Sequence, residues 1–251
     1  MSDALELFWN ASLEEFKRGY IEEANGFTCL LCCKKLEKGI VYSEDGVLYE
    51  AERYMRVHIE KAHGSVFDYL INLDRKLTGL TDHQKCLMQL FYQGKSDSEV
   101  QEALGIGSAS TIRNHRFVLK EKERQSKVFL AMMELLKEKD KYAPAFLSLH
   151  KNATMIDDRY NITEEERQKI LRTYFTNGLD GPLKSLPGRQ KQIVVILREL
   201  ARRFDPEKVY SENEVNQILQ DFYDDYASLR RYLIDYRFLD RNATGSKYWL
   251  K

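Results

Sequence analysis

Residues 80–122, near the middle of the chain, read LTDHQKCLMQLFYQGKSDSEVQEALGIGSASTIRNHRFVLKEK and decide the fold. Thr81 has the character of a helix start, and Ser96 or Asp97 caps a second helix. A third helix runs from about Ser110 to Lys139, which is roughly 45 Å at 1.5 Å per residue. The pattern predicts a group of packed helices of which the last is unusually long.

This stretch resembles the LuxR/GerE-type helix-turn-helix of bacterial transcription regulators, a pattern that sigma-factor region 4 shares in large part. The matching residues are Leu80, Thr81, Asp82, Gln84, Leu90, Gly94, Lys95, Ser96, Asp97, Glu99, Val100, Leu104, Ile106, Ser110, Thr111, Ile112, Arg113, Asn114 and His115. One extra residue between Ile106 and Thr111 departs from the family pattern and leaves the register of the recognition helix open. The resemblance implies binding to double-stranded DNA.

The charge of the third helix independently favours nucleic acid. Residues 110–127 contain six basic and two acidic side chains. The hydroxyls of Ser110 and Thr111 could bind phosphate at the helix start. Arg113, Asn114 and Arg116 project from the first turns, and arginine suits guanine as asparagine suits adenine. The candidate DNA contacts on this helix are Ser110, Thr111, Arg113, Asn114, Arg116 and Lys120; the alternative is a solvated basic surface.

Beyond Lys127 the same helix becomes apolar. The apolar side chains are Val128, Phe129, Met132, Met133, Leu135 and Leu136. Such a stripe is usually part of a core. The alternative is a homodimer seam, since paired modules read a two-fold DNA site.

The formal net charge is zero, with 39 basic and 39 acidic side chains. Resolved by segment, residues 1–75 carry 9 basic and 14 acidic side chains, residues 76–127 carry 9 and 6, and residues 182–251 carry 13 and 10. The neutral average therefore conceals an acidic N-terminal part beside two basic parts. Positive potential is what phosphate binding requires, so DNA is not excluded as a partner.

Cysteine and histidine pairs in the N-terminal part predict a metal site. Cys29 and Cys32 have the Cys-x2-Cys spacing, and His58 and His63 follow on an expected helix. Four protein ligands favour structural Zn²⁺ rather than a catalytic ion, which keeps an open position. The 25 residues between Cys32 and His58 exceed the usual zinc-finger spacing, and Cys33 is an alternative ligand to Cys32.

The N-terminal elements are expected in the order helix, knuckle, β-hairpin and helix. Apolar spacing predicts a helix over residues 3–24 that ends at Asn25-Gly26. The turn Glu44-Asp45-Gly46 predicts a hairpin, and a helix then starts near Glu52.

The C-terminal part resembles a bacterial domain of unknown function over most of residues 142–251. Thr163 with Glu166 and Ser211 with Glu214 form capping boxes. Three helices followed by a β-hairpin have the order of a winged helix, which would turn the third helix towards DNA. The candidate DNA contacts there are Arg230 and Arg231, although nearby aspartates would repel phosphate.

The sequence therefore predicts a mainly α protein with four parts. These are a zinc-binding part over residues 1–75, the helix-turn-helix with its long helix over 76–141, a helical connector over 142–186 and a winged-helix-like part over 187–251. No apolar run is long enough to cross a membrane, and a soluble cytoplasmic protein is expected.

The expected function is sequence-specific DNA binding in transcription regulation, not enzymatic catalysis. The first alternative is a protein-interaction module that contacts RNA polymerase or an antagonist. The second is an enzyme that acts on nucleic acid, with Asp157, Asp158 and His150 as its candidate residues. No phosphate-binding loop or nucleophile motif supports this second alternative.

Overall fold

A computed structural model describes residues 4–150, 153, 157–206 and 208–251, with only the backbone for residues 4–6. Over these residues the fold is mainly α, with small antiparallel sheets. Two compact units are formed by residues Met1–Leu77 with Ala145–Lys251 and by residues Thr78–Pro144. The four predicted parts and their boundaries stay predictions.

The N-terminal elements alternate short helices with strands. They are α1 (Ala4–Asn10), α2 (Leu13–Arg18), β1 (Tyr20–Glu23), β2 (Gly26–Cys29), β3 (Lys35–Glu37), β4 (Val41–Glu44), β5 (Val47–Glu50), α3 (Ala51–His63), α4 (Val66–Ile71) and α5 (Arg75–Thr78). Strands β1, β2 and β3 form one sheet, and β4 pairs with β5 around the predicted turn.

The single helix predicted over residues 3–24 is wrong. Ser12 forms a capping box with Glu15 and starts α2 as a separate helix. Gly19, at φ 80°, then ends α2 in the left-handed conformation that glycine adopts most readily. The chain continues as β1, which pairs with β2 in a hairpin whose turn is formed by residues 24–25. Asn25-Gly26 therefore marks this hairpin turn and not the end of a helix.

An apolar cluster holds the N-terminal elements together. Phe8 from α1, Leu36 from β3 and Met55 from α3 are almost fully buried in it. Close packing also requires Gly26, because a Cβ there would lie 2.2 Å from the carbonyl oxygen of Leu36. The packing places one face of α3 against the sheet.

Residues 78–144 form the central helical unit, with α6 (Asp82–Tyr92), α7 (Asp97–Leu104) and α8 (Ala109–Lys139). Thr81 and Ser96 cap α6 and α7 as the sequence predicts, each with a capping box. The buried core of this unit consists of Leu87, Val100 and Ile112, one from each helix. We call these three side chains the three-helix core.

The C-terminal elements begin with a short 3-10 helix (Asp158–Tyr160). They continue with α9 (Glu164–Tyr174), α10 (Gln190–Ala201), β6 (Val209–Tyr210), α11 (Glu212–Gln220), α12 (Tyr226–Asp235), β7 (Leu239–Arg241) and β8 (Tyr248–Leu250). Both predicted capping boxes are present, at Thr163 before α9 and at Ser211 before α11. The three strands lie in the order β6-β8-β7.

A large apolar core, extending from Ile162 to Tyr248 and here called the C-terminal core, joins these elements. Leu219, Leu229 and Leu233 are fully buried in it. A long-range hydrogen bond also links the N-terminal helix α1 to this part of the chain, since Trp9 Nε1 donates to the carbonyl oxygen of Leu149 at 2.5 Å.

Candidate metal centre and candidate nucleic-acid interface

A tight backbone turn after β2 presents the first two metal-ligand candidates. Cys29 ends β2, and the N–H of Cys33 donates to the carbonyl oxygen of Cys29 at 2.9 Å. The N–H of Cys29 donates in turn to the carbonyl oxygen of Lys34 at 2.8 Å. Cys33 has φ 69°, a conformation in which glycine is the usual residue. The turn thereby holds Cys29 and Cys32 on one side of the knuckle.

Helix α3 brings the two histidines to these thiols. Cys32 Sγ lies 3.1 Å from His58 Nε2, and Cys29 Sγ lies 3.8 Å from His63 Nε2. The four ligand atoms all lie within 4.8 Å of one another, so these residues could hold a metal ion. These are the four residues that the sequence predicts as ligands, and zinc as the ion that they hold stays a prediction. The group contains Cys32, and Cys33, the alternative ligand, is not a member.

The donor set suits a tetrahedral ion with closed coordination. Two thiolates and two imidazoles are a ligand set of structural zinc sites, in which metal–ligand distances of about 2.0–2.3 Å give donor–donor separations of about 3.3–3.8 Å. The two printed sulfur–nitrogen distances, 3.1 and 3.8 Å, are near that range. Cys29 is fully buried, whereas Cys32 is half-buried.

The surroundings of the four ligands are apolar and aromatic. The hydrogen bond with Cys29 is the main cause that raises the pKa of the Cys32 thiol, and burial adds to it, whereas hydrogen bonds with the two histidines lower it. Burial and the nearby thiols also raise the pKa of the Tyr69 phenol. The Tyr69 ring packs edge-on against His63, with the centroids 5.9 Å apart.

The start of α8 concentrates hydroxyl groups. The helix begins at Ala109, one residue earlier than predicted, because Ser108 is the N-cap and accepts from the N–H of Thr111. The hydroxyls of Ser110 and Thr111 lie 2.8 and 3.1 Å from that of Ser108. Sequence reasoning did not name Ser108, although serine is among the residues that N-cap positions favour.

The remaining candidate DNA contacts on α8 differ in whether they have a partner within the chain. Arg113 and Asn114 are exposed on the first turns. Arg116 instead donates through Nε to Asp97 at 2.8 Å and lies 3.6 Å above the ring of Phe91, so it also fastens α8 to the other two helices. Lys120 forms an ion pair with Glu123 at 2.6 Å.

An open groove of about 850 Å³ runs between α6 and α8 within the central helical unit. Apolar side chains such as Leu80, Met88 and Phe117 line it together with the cations Arg113 and Lys122. Lys122 Nζ donates to the carbonyl oxygen of Gly79. The rim of the groove is therefore positively charged. Lys122 also connects α8 to the residues before α6 through its hydrogen bond with Gly79.

The two C-terminal candidates differ from each other. Arg230 pairs with Glu212 at 2.6 Å and donates to Asn216. Its side chain is only 20% exposed. Arg231 is exposed and donates to the Ser228 hydroxyl at 3.4 Å. Only Arg231 has the accessibility that a phosphate contact needs.

The three candidate residues of the enzyme alternative have different surroundings. His150 is buried, its Nε2 lies 2.8 Å from the carbonyl oxygen of Tyr236, and its ring stacks on Phe238 at 4.2 Å. Burial lowers the pKa of His150 to about 4. Asp157 instead caps the short 3-10 helix and pairs with Arg159 at 2.8 Å. Asp158 is exposed within that helix.

The apolar stripe of α8 is not core in the single chain, which corrects the first interpretation of it. All six side chains from Val128 to Leu136 that define the stripe are between 38 and 63% exposed. The buried contact of α8 is made instead by Ile112, 16 residues before Val128, in the three-helix core. The dimer-seam alternative is untested by this single chain.

Comparison with known proteins finds a family match in the C-terminal part of the chain. Residues 182–250 match the model of a family described as an uncharacterized protein conserved in bacteria (DUF2087). The resemblance to a bacterial domain of unknown function is confirmed over these residues. No curated protein and no solved structure matches the chain.

Among the described residues, no helix combines the length and the apolar character that crossing a membrane requires. This holds also for α8, which is long enough but carries many charged side chains in its first half.

Proposed function

We propose that this protein is a sequence-specific DNA-binding transcription regulator whose α6–α8 unit acts as a helix-turn-helix. The observation that carries the proposal is the exposed pair Arg113 and Asn114 on the first turns of α8. Ile112, between Thr111 and Arg113, is fully buried and anchors that part of the helix. A recognition helix needs this arrangement, in which one side is fixed and the other offers base-reading side chains.

The surroundings of the pair support DNA as the ligand. The hydroxyls of Ser110 and Thr111 lie beside the helix N-terminus, where phosphate oxygens bind favourably. Further along the helix, the side chain of Lys120 stays 57% exposed beside its ion-pair partner Glu123. Arg116 contributes charge at the same place, while its contact with Phe91 positions the helix.

The C-terminal part supports a second, weaker contact. Strand β6 lies before α11 and pairs with β8, and this connection of three helices with a three-stranded sheet is the arrangement that a winged helix uses. We assign Arg231, rather than Arg230, as its DNA-facing cation, because Arg230 is occupied by Glu212 and Asn216.

We further propose that the Cys29, Cys32, His58 and His63 group holds a structural Zn²⁺ ion. The ion would tie the knuckle after β2 to α3 and stabilise a small apolar cluster. The proposal is consistent with a cytoplasmic protein, where closely spaced thiols stay reduced and available to metal.

The DNA proposal is tested by selecting bound duplexes from a random double-stranded pool with the full chain. The affinity for the selected sequence is then measured by fluorescence anisotropy over a range of salt concentrations. We expect Arg113→Ala with Asn114→Ala to weaken binding at least tenfold, since a bidentate base contact discriminates by about 1–3 kcal/mol. Arg53→Ala on α3 is the control that removes one exposed cation elsewhere.

The contrary results are specific. A pool that yields no preferred sequence, or an affinity that does not fall with salt, would reject DNA recognition. Equal binding by the double variant and the Arg53→Ala control would reject α8 as the reading helix. Arg116→Ala is a poor probe, because loss of its contacts with Asp97 and Phe91 would also loosen the unit.

The zinc proposal is tested by metal analysis of the purified chain. We expect one zinc per chain, loss of the metal in Cys29→Ser and retention in Cys86→Ser, whose thiol is exposed and lies outside the group. Zinc retained in Cys29→Ser would reject the ligand assignment.

A further inference from the structure

The second half of α8 carries a continuous apolar surface. Val128, Met132 and Leu135 follow one another at spacings of four and three residues, which places them in one row along a helix. The residues Phe129, Met133 and Leu136 form a second row with the same spacings, one position further round the helix. We call these two rows together the α8 seam.

The seam occupies one side of the helix only. Successive residues of a helix are rotated by about 100°, which places Lys127, Glu134 and Lys137 on the side away from the seam. The same rotation places Leu130 on that side. Leu130 is exposed to a similar extent as its apolar neighbours, at 56%. It therefore provides an apolar reference on the opposite side of the same helix.

The size of the seam is appropriate for association of two chains. Its six side chains expose about 600 Å² of apolar surface, which is at the upper end of what a monomeric protein presents in one patch. Two such seams in contact would bury at most about 1,200 Å², which is at the lower end of the range for specific interfaces. Burial of one seam against its own copy thus meets the size requirement.

We propose that this face of α8 binds the same face of a second copy of this chain, with the two helices antiparallel. The charges at the ends of the seam select this orientation. The alternating spacing of three and four residues continues from Val128 through Gln125 to Glu121 in the N-terminal direction. In the C-terminal direction it continues from Leu135 to Lys139.

In a parallel pair, each of these two charges would face its own copy, and like charges would meet in both places. In an antiparallel pair with Met132 beside Val128 of the other copy, Lys139 of one chain faces Glu121 of the other. The same register brings Arg124, which pairs with Glu121 within its own chain, near Glu138, again with opposite charge. Antiparallel pairing therefore replaces repulsion by attraction at both ends of the seam.

This inference goes beyond DNA binding and does not depend on it. If the dimer forms and DNA binding fails, the seam remains an interface between copies. If DNA binding holds and the chain is monomeric, only the seam assignment is lost.

The oligomeric state is measured by sedimentation velocity on the full chain between 1 and 50 μM. We expect a species of twice the 29.5 kDa chain mass. Met132→Glu with Leu135→Glu should give a monomer with an unchanged helical circular dichroism signal. Leu130→Glu, on the opposite side of α8, should remain dimeric. A monomer for the unaltered chain at 50 μM, a larger assembly, or equal dissociation by Leu130→Glu would overturn the proposal.

The orientation is measured by disulfide cross-linking in a Cys86→Ser background. Antiparallel packing places Gln125 of one chain opposite Leu135 of the other. Mixed Gln125→Cys and Leu135→Cys chains of different mass should therefore cross-link to each other. Self-cross-linking of the Gln125→Cys chain alone, as a parallel pair would give, overturns the antiparallel arrangement.

Discussion

Helices α8 and α12 are each the third in a group of helices, and each carries neighbouring basic side chains, yet they use them differently. On α8, Arg113 and Asn114 stand exposed on the first turns. On α12, Arg230 is committed to Glu212 and Asn216 of α11. For Arg230, the combination of an acidic partner and a side chain that is only 20% exposed removes the cation from the surface that a ligand can reach.

The cores beneath the two helices differ as well. The three-helix core has one buried side chain per helix, whereas α12 lies on the extensive C-terminal core. A helix with little burial keeps most of its surface for contacts with other molecules. A helix in a large core contributes mainly to stability.

The largest expected effect comes from removing a buried leucine from each of the two cores. Leu87→Ala and Leu229→Ala remove the same group from fully buried sites, at a cost of about 2–5 kcal/mol each. We expect Leu87→Ala to abolish hydrogen-exchange protection throughout α6 and α7, because two buried partners cannot hold three helices. Leu229→Ala should lower protection of α12 while α10 stays protected. Intact protection of α6 in Leu87→Ala would show that the three-helix core is not the main support.

The second prediction concerns acid. Burial lowers the pKa of His150, which contacts the C-terminal core at Phe238, to about 4, against roughly 6.5 in the unfolded chain. The unfolded state therefore takes up the proton first. The stabilisation is present in full above pH 6.5 and is lost as the pH falls towards 4, by about 3 kcal/mol.

Urea unfolding at pH 7.0, 5.5 and 4.5 measures this loss. His150→Phe keeps an aromatic ring against Phe238 and removes the titration, so its stability should depend less on pH over this range. An identical pH dependence in both proteins would assign the acid sensitivity to other groups.

The third prediction sharpens the contrast between the arginines. Arg230→Met removes the ion pair with Glu212, and its side chain is mostly buried; we expect a loss of about 1 kcal/mol in the free energy of unfolding. Arg113→Met should change that free energy by less than about 0.5 kcal/mol, as at ordinary surface positions. Thermal denaturation of both variants gives the comparison, and an equal loss in the two would contradict it.

The smallest effect compares two helix caps. Ser96→Ala before α7 and Ser211→Ala before α11 each remove a capping box, worth about 1 kcal/mol. The cost is the same locally, so we expect a larger rise in hydrogen exchange for α7, which has the smaller core. Equal rises in exchange at α7 and α11 would show that core size does not control local opening.

Local signals in the sequence were sufficient for much of the fold. The capping residues Thr81, Ser96, Thr163 and Ser211 start helices as predicted, since an N-cap needs only residues three positions apart. The metal-ligand group was also predictable, because its spacing is set by a turn and one helix.

Features that depend on residues distant in the chain were not predictable in the same way. Apolar spacing over residues 3–24 fits a helix, but pairing of Tyr20 with Cys29 makes its end a strand. The positioning role of Arg116 depends on Phe91, which is 25 positions earlier. The exposure of the α8 stripe likewise depends on the absence of a neighbouring helix among the described residues, which periodicity does not reveal.

The hydrogen bond from Trp9 to Leu149 has a consequence for synthesis. The ribosome makes its donor 140 residues before its acceptor, an interval of roughly 7 to 28 seconds at about 5–20 residues per second. The metal-ligand group is complete at His63, well within that interval. The N-terminal segment can therefore bring its four metal-ligand candidates together while the acceptor is still unmade, and Trp9 fluorescence would report the later closure as a separate kinetic phase.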